Sequence, residues 1–221
     1  PFRALCTATW CTAAAESAGR AGRFFPMSDE HLIEQRIAQQ ELFKGRFLHA
    51  FRDTVRLPDG SEATREYVVH PGAVMVIPML QLPDGQIRLV LERQYRYPVG
   101  HVMIEFPAGK LDAGEDPWLC AQRELMEETG YRAVEWARAG VLHPVIAYST
   151  EVIEIWFARG LTLGTRQLDD EEFLDVFLAS PQELMSWCRD GQVTDGKTLT
   201  GALWLHNVLS GDWPLQWQVS V

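Results

Sequence analysis

The 221-residue sequence has no apolar run approaching the roughly 18 to 20 residues that a membrane-crossing helix needs. No membrane contact is therefore expected. It also lacks any lysine- or arginine-rich segment, and its formal net charge is -10. That balance argues against general nucleic-acid binding. The four cysteines, Cys6, Cys11, Cys120 and Cys188, form no CxxC pair. Neither a zinc site nor a disulfide framework is indicated. Cys120 and Cys188 are expected to pack as small apolar side chains in a reducing compartment, which points to the cytoplasm. The six histidines show neither HxxxH nor HExxH spacing and read as structural or surface residues. The eight tryptophans read as core or interface residues rather than ligand stackers.

What remains is a chain with 47% apolar residues, enough for a sizeable core. Residues 1–26 show no helical or strand period and are expected to lie outside the fold. From Met27 the pattern changes. A helix is expected near residues 29–39, with Leu32, Ile33 and Ile37 on one side. Strand-like segments follow at GRFLHAFRDTVRL, EATREYVVH and AVMVIPML. LPDGQ turns the last of these into IRLVLERQY. GVLHPVI, VIEIWFARGL and EFLDVFLA read as later strands. SPQELMSWCRDG carries the marks of a capped helix, with Ser180, Pro181 and Glu183 at its start. A closing helix near residues 197–209 offers Leu199, Leu203 and Leu209 to the core, while Trp204 suits either face. Strands mixed with helices before, between and after predict an α/β sandwich.

One stretch stands apart: GKLDAGEDPWLCAQRELMEETGY, residues 109–131. Asp116 suits a helix N-cap, Pro117 the first helical position and Gly130 the C-terminal stop. On that helix Glu124 neighbours both Glu127 and Glu128. Three carboxylates so close repel one another unless a cation joins them. Hard oxygen ligands suit Mg²⁺ or Mn²⁺ rather than zinc.

The stretch resembles the Nudix box. Gly109, Glu115, Arg123, Glu124, Leu125, Glu127, Glu128 and Gly130 fill its specified positions without a gap, and only Tyr131 departs from the usual aliphatic residue. The resemblance implies the Nudix fold, a mixed β-sheet between helices. It implies Glu124 and Glu128 as metal ligands, with Glu127 contributing directly or through water and the Ala108 carbonyl as a further ligand. Arg123 would orient the cluster by pairing with Glu115 or Glu127. REYVVHPGAVMVIP, LERQYRYPVG, IEFPAGKLDAGE and DGKTLTGALWL are similar to the ADP-ribose pyrophosphatase branch. In that branch a small N-terminal antiparallel sheet, here about residues 40–70, exchanges contacts across a homodimer. The expected organisation is thus an N-terminal part over 27–70, helix and small sheet, followed by the catalytic domain over 71–221.

The branch also implies individual roles. Arg96 matches an arginine that touches substrate phosphate, which suits its planar donors. Arg65 would approach the nucleotide from the small sheet. The general base is a carboxylate after the box, here within LDDEEFLDV: Glu172 first, then Glu171 or Asp170. The loop AYSTE follows Pro144 without the proline–glycine pair usual in the branch. It lies where a terminal ribose would sit, and Ser149 and Glu151 offer partners for sugar hydroxyls. The implied activity is Mg²⁺-dependent hydrolysis of a nucleoside diphosphate derivative, with Mn²⁺ as the other candidate ion. ADP-ribose, giving AMP and ribose 5-phosphate, comes first among substrates. An ADP-sugar, GDP-mannose or a dinucleotide are the enzymatic alternatives. A nucleotide-sensing Nudix domain without turnover, or a dimeric scaffold, are the others.

Overall fold

The computed structural model describes residues 28–168 and 172–220. The expected extension over residues 1–26, with Cys6 and Cys11, and the candidate bases Asp170 and Glu171 lie outside the described residues. Two sheets carry most of the strands. The first is a small antiparallel sheet of β1 (Gln35–Lys44), β2 (His49–Arg56) and β3 (Glu62–Val69). The second is built from β4 (Ala73–Gln81), β5 (Ile87–Arg96), β6 (His101–Glu105), β7 (Ala108–Lys110), β9 (Glu135–Leu142), β10 (Ile153–Arg159), β12 (Leu174–Ala179) and β13 (Gln218–Val219). Its main path runs β12-β5-β4-β10-β9-β13, with β6 on β5 and β7 on β4. β4 and β10 are parallel and the other pairs antiparallel, so the sheet is mixed. β8 (Tyr131–Arg132) and β11 (Thr162–Leu163) form a short separate pair. The helices are α1 (Pro117–Thr129), α2 (Pro181–Arg189) and α3 (Gly196–Ser210).

β4 shows why this is a sandwich. Side chains alternate across a strand, and here both faces are buried. Val74 and Val76 join Cys120, Ala121 and Leu125 of α1 in one apolar layer. Met75 and Ile77 join Leu184 of α2 with Ala202 and Leu205 of α3 in the other. Each fully buried aliphatic side chain stabilises the fold by about 1.5–3 kcal/mol. The sheet is thereby held between α1 on one side and α2 with α3 on the other.

The caps of α1 follow the local chemistry. The Asp116 carboxylate accepts from the N–H groups of Trp118 and Leu119 at 2.9 and 3.3 Å. Gly130 adopts φ 76°, a conformation that glycine takes without a Cβ penalty, and its N–H donates to the Met126 carbonyl. In α2, Ser180 and Glu183 form the expected reciprocal capping box.

Three expectations are corrected. The helix near 29–39 is a single 3-10 turn, Asp29–Leu32, after which Gln35–Lys44 pairs along its length with β2. Cross-strand hydrogen bonding outweighs the weak helical pattern of Leu32, Ile33 and Ile37. The strand expected at GVLHPVI ends at Leu142, because Pro144 lacks the N–H that a ladder requires. On α3, Leu199, Leu203 and Leu209 face outward, while Thr198, Gly201, Ala202 and Leu205 are buried. The helix docks through its small residues. A Cβ on Gly201 would come within 2.9 Å of Met75 and Phe106.

β4 and β5 pair only over Met79–Gln81 and Ile87–Leu89. Beyond that the two strands part, β4 continuing with β7 and β5 with β6. This divergence opens the sheet beside α1 and places the candidate site.

Candidate active site

A cavity of about 760 Å³ lies where the strands part. α1 supplies Arg123, Glu124, Glu127 and Glu128 to its lining, β5 supplies Gln94 and Arg96, and the segment before β12 supplies Glu172. The carboxylates of the box and the candidate base Glu172 therefore share one cavity.

Arg123 is the hub of the acidic cluster. Its Nε and Nη2 donate to both oxygens of Glu115 at 2.9 and 2.8 Å. Nη1 donates to Glu124 at 2.8 Å and to Glu127 at 3.0 Å, and Nη2 reaches the Lys110 carbonyl at 3.1 Å. The two sequence alternatives, Glu115 or Glu127, are both taken. Hydrogen bonding from Arg123 pulls the Glu115 carboxyl down to about 2. Burial pushes Glu124 up to about 7 despite the relief from Arg123. Glu128 is raised well above its usual value by burial, then by the charges of Glu92 and Glu124. The Ala108 N–H donates to Glu128 at 2.9 Å, fixing α1 against β7.

Gly109 has a steric reason. A Cβ there would overlap the Glu124 carboxylate. Gly109→Ala should therefore displace Glu124 while leaving the distant core intact. Turnover is expected to fall at least about tenfold, as for loss of one well-placed electrostatic element, with the circular dichroism spectrum unchanged. Full activity would mean that Glu124 is dispensable.

Arg96 lies in the cavity lining and grips Glu105 with two hydrogen bonds, at 2.7 and 2.8 Å. Lys197 donates to the same carboxylate and to Asp195. Burial opposes the ionised form of Glu105, but these two cations overcome it and hold its carboxyl below the usual range. Asp195 also accepts from the N–H and hydroxyl of Thr198, and the Thr198 Oγ accepts from Phe106 N–H. The start of α3 thus braces the turn that carries Glu105 and Ala108.

The remaining sequence candidates are placed unevenly. Glu151 lines the cavity, but Ser149 does not; its hydroxyl accepts the Glu151 N–H at 3.1 Å instead. Arg65 sits on the exposed small sheet, paired with Glu34, and is not part of the lining. Lys197, Glu105, Glu92 and Gln94 were not singled out from the sequence. Each becomes visible only when distant segments meet.

The donor chemistry fits a divalent cation: hard carboxylate oxygens, largely buried, around a glycine that leaves them room. Among the described residues, no group of three or more His, Cys, Asp and Glu side chains is already arranged to hold a metal ion. Arg123 engages one oxygen each of Glu124 and Glu127.

The model of the NUDIX domain matches residues 69–200, spanning the box and the cavity. The chain belongs to the Nudix hydrolase family. Residues 34–68 match the nucleoside diphosphate sugar hydrolase N-terminal domain, which covers the small sheet. The methanol dehydrogenase activator of Bacillus methanolicus is 35% identical, over 78% of this chain and 92% of its own. The ADP-ribose pyrophosphatase of Bacillus subtilis (strain 168) is 34% identical, over 76% of this chain and 89% of its own. A solved structure of an ADP compounds hydrolase shares the Nudix fold. Its TM-score is 0.71 at 19% identity, covering 81% of this chain and 96% of that one. Among the described residues no helix is long and apolar enough to cross a membrane.

Proposed function

We propose that the chain hydrolyses the pyrophosphate bond of a nucleoside diphosphate derivative with the help of Mg²⁺ or Mn²⁺, ADP-ribose being the first candidate and AMP and ribose 5-phosphate its products. The observation that carries this reading is the cavity in which Glu172 and Arg96 join the box carboxylates. Glu124, Glu127 and Glu128, with the Ala108 carbonyl, would hold the cation. Bound there, it would neutralise phosphate charge and lower the pKa of a water. Arg123 and Glu115 keep the carboxylates in place, Glu172 takes the proton of the attacking water, and Arg96 holds a phosphate. The relative named ADP-ribose pyrophosphatase supports the substrate class.

The small sheet is assigned to contact with a second copy of the chain. β1 is exposed along its whole length, and Ile37, Leu42 and Phe43 on it are open to solvent. Arg65, remote from this chain's cavity lining, would then serve the partner's substrate.

A panel of nucleoside diphosphate derivatives, assayed with and without Mg²⁺, tests the activity. Within it, Arg96→Ala should weaken kcat/KM for every substrate by a similar factor, because each contains the phosphate. Loss of a charge-assisted contact costs about 1.5–3 kcal/mol, roughly 10- to 150-fold. Replacing Ser149 and Glu151 by alanine should instead penalise ADP-ribose more than a substrate without the terminal ribose. Equal losses across the panel would remove the AYSTE loop from sugar recognition.

A further inference from the structure

Arg96 is clamped along one edge. Glu105 takes the Nε and Nη2 side of its guanidinium, at 2.7 and 2.8 Å. Among the described residues no partner engages its Nη1, and the side chain is 39% exposed on the cavity wall. An arginine held this way presents its remaining N–H groups in a fixed direction. That direction is only as firm as the clamp. Glu105 is 2% exposed, and Glu92, also fully buried, stands directly opposite it across β5 and β6. Acids paired on one face of a sheet oppose each other, and a buried carboxylate needs full compensation. Lys197 completes it. Its ammonium donates to the same Glu105 oxygen that Arg96 Nη2 uses, and to Asp195 at 3.0 Å. Asp195 is tied in turn to the Thr198 N–H and hydroxyl, at 2.9 and 2.6 Å. A row of alternating charge, Arg96–Glu105–Lys197–Asp195, thus runs from β5 over β6 to the start of α3.

We propose that Lys197 is a positioning residue for phosphate binding: it fixes Glu105, and through Glu105 it aims the free Nη1 of Arg96 into the cavity. Lys197 does this without touching substrate. Its side chain is 13% exposed and spent on two carboxylates, whereas Arg96 keeps a free donor. Without Lys197, one oxygen of Glu105 loses its second donor. The carboxylate can then turn and carry the guanidinium with it. The inference rests on the reading that Arg96 holds a substrate phosphate.

A double-mutant cycle in the full chain tests it, by steady-state kinetics at saturating Mg²⁺ on whichever nucleoside diphosphate derivative is turned over fastest. Lys197→Met should raise KM at least about fivefold and change kcat by less than about twofold, since a contact made alike in ground and transition states affects binding alone. Lys197→Arg should recover most of the loss. In the Arg96→Ala background nothing is left to aim, so Lys197→Met should add less than about twofold. Lys197→Gln, still able to donate to Glu105, decides the matter if Lys197→Met fails to fold. It should show the same KM rise in smaller measure, and the same loss of effect beside Arg96→Ala. Full additivity of the two changes would overturn the inference, because Lys197 would then act independently of Arg96. A fall in kcat at unchanged KM would also overturn it, placing Lys197 with the cation-binding carboxylates. If Arg96→Ala alone left KM unchanged, the reading of Arg96 as the phosphate grip would fall first, and the inference with it.

Discussion

Glu128→Gln should lower kcat by at least about a hundredfold while the protein stays folded. The change preserves shape and removes one charge from the cluster that is proposed to bind the cation, and losing one such electrostatic element costs on this scale. Glu128 is only 3% exposed and its carboxylate accepts from Ala108 N–H. An amide that turns its oxygen to that N–H keeps the bond, so circular dichroism and thermal unfolding should report a native chain. Steady-state kinetics at saturating Mg²⁺ make the measurement. Near-normal turnover there would exclude Glu128 from the cation-binding set.

Without divalent cations, the protein should become less stable as pH rises from 5.5 to 8.5. Burial raises the Glu124 carboxyl to about 7 and that of Glu92 to about 8, and Glu128 moves the same way. A carboxyl raised in the folded state binds protons more tightly there than in the unfolded chain. Its contribution is therefore complete below the unfolded value of 4.5 and is lost as pH passes through the folded one. Glu124 alone corresponds to about 3 kcal/mol over its shift, at 1.36 kcal/mol per unit. For a chain of this size that is a fall in Tm on the order of 5–10 °C. Glu115 and Glu105 are shifted down and act in the opposite sense, but only as pH falls below the ordinary carboxylate range. Mg²⁺ or Mn²⁺ should flatten the dependence, because a bound cation replaces the protons. Thermal scans across this range, with chelator and with Mg²⁺, give the comparison. A Tm that rises with pH in chelator would contradict the assignment.

The legible parts of this molecule are those governed by neighbours in sequence. Asp116, Pro117 and Gly130 delimit α1, and Ser180 with Glu183 opens α2, because a cap is satisfied within four residues. The box carries its own spacing, so the resemblance offered Glu115 or Glu127 as the partner of Arg123 before any fold was known, while its contact with Glu124 came only with the fold. β1 was not legible, since its strand conformation comes from pairing with β2. The buried face of α3 was misread because bulk suggested Leu199, Leu203 and Leu209, whereas close approach to Phe106 and Met75 selects Gly201 and Ala202. Lys197 and Glu92 have no local signature. Their surroundings are made by chain segments that meet only in the folded protein.

The brace between α3 and the Glu105 turn has a consequence for synthesis on the ribosome. Lys197 and Thr198 each reach back 92 residues, to Glu105 and to Phe106 N–H. A nascent chain that has already emitted the whole box still lacks both partners. Its Glu105 then faces Arg96 alone, and the Phe106 N–H has lost its acceptor. The box helix can form early from its own caps, but the wall opposite it is completed only when α3 emerges. Catalytic competence should consequently arrive abruptly, once α3 has emerged, rather than grow with chain length.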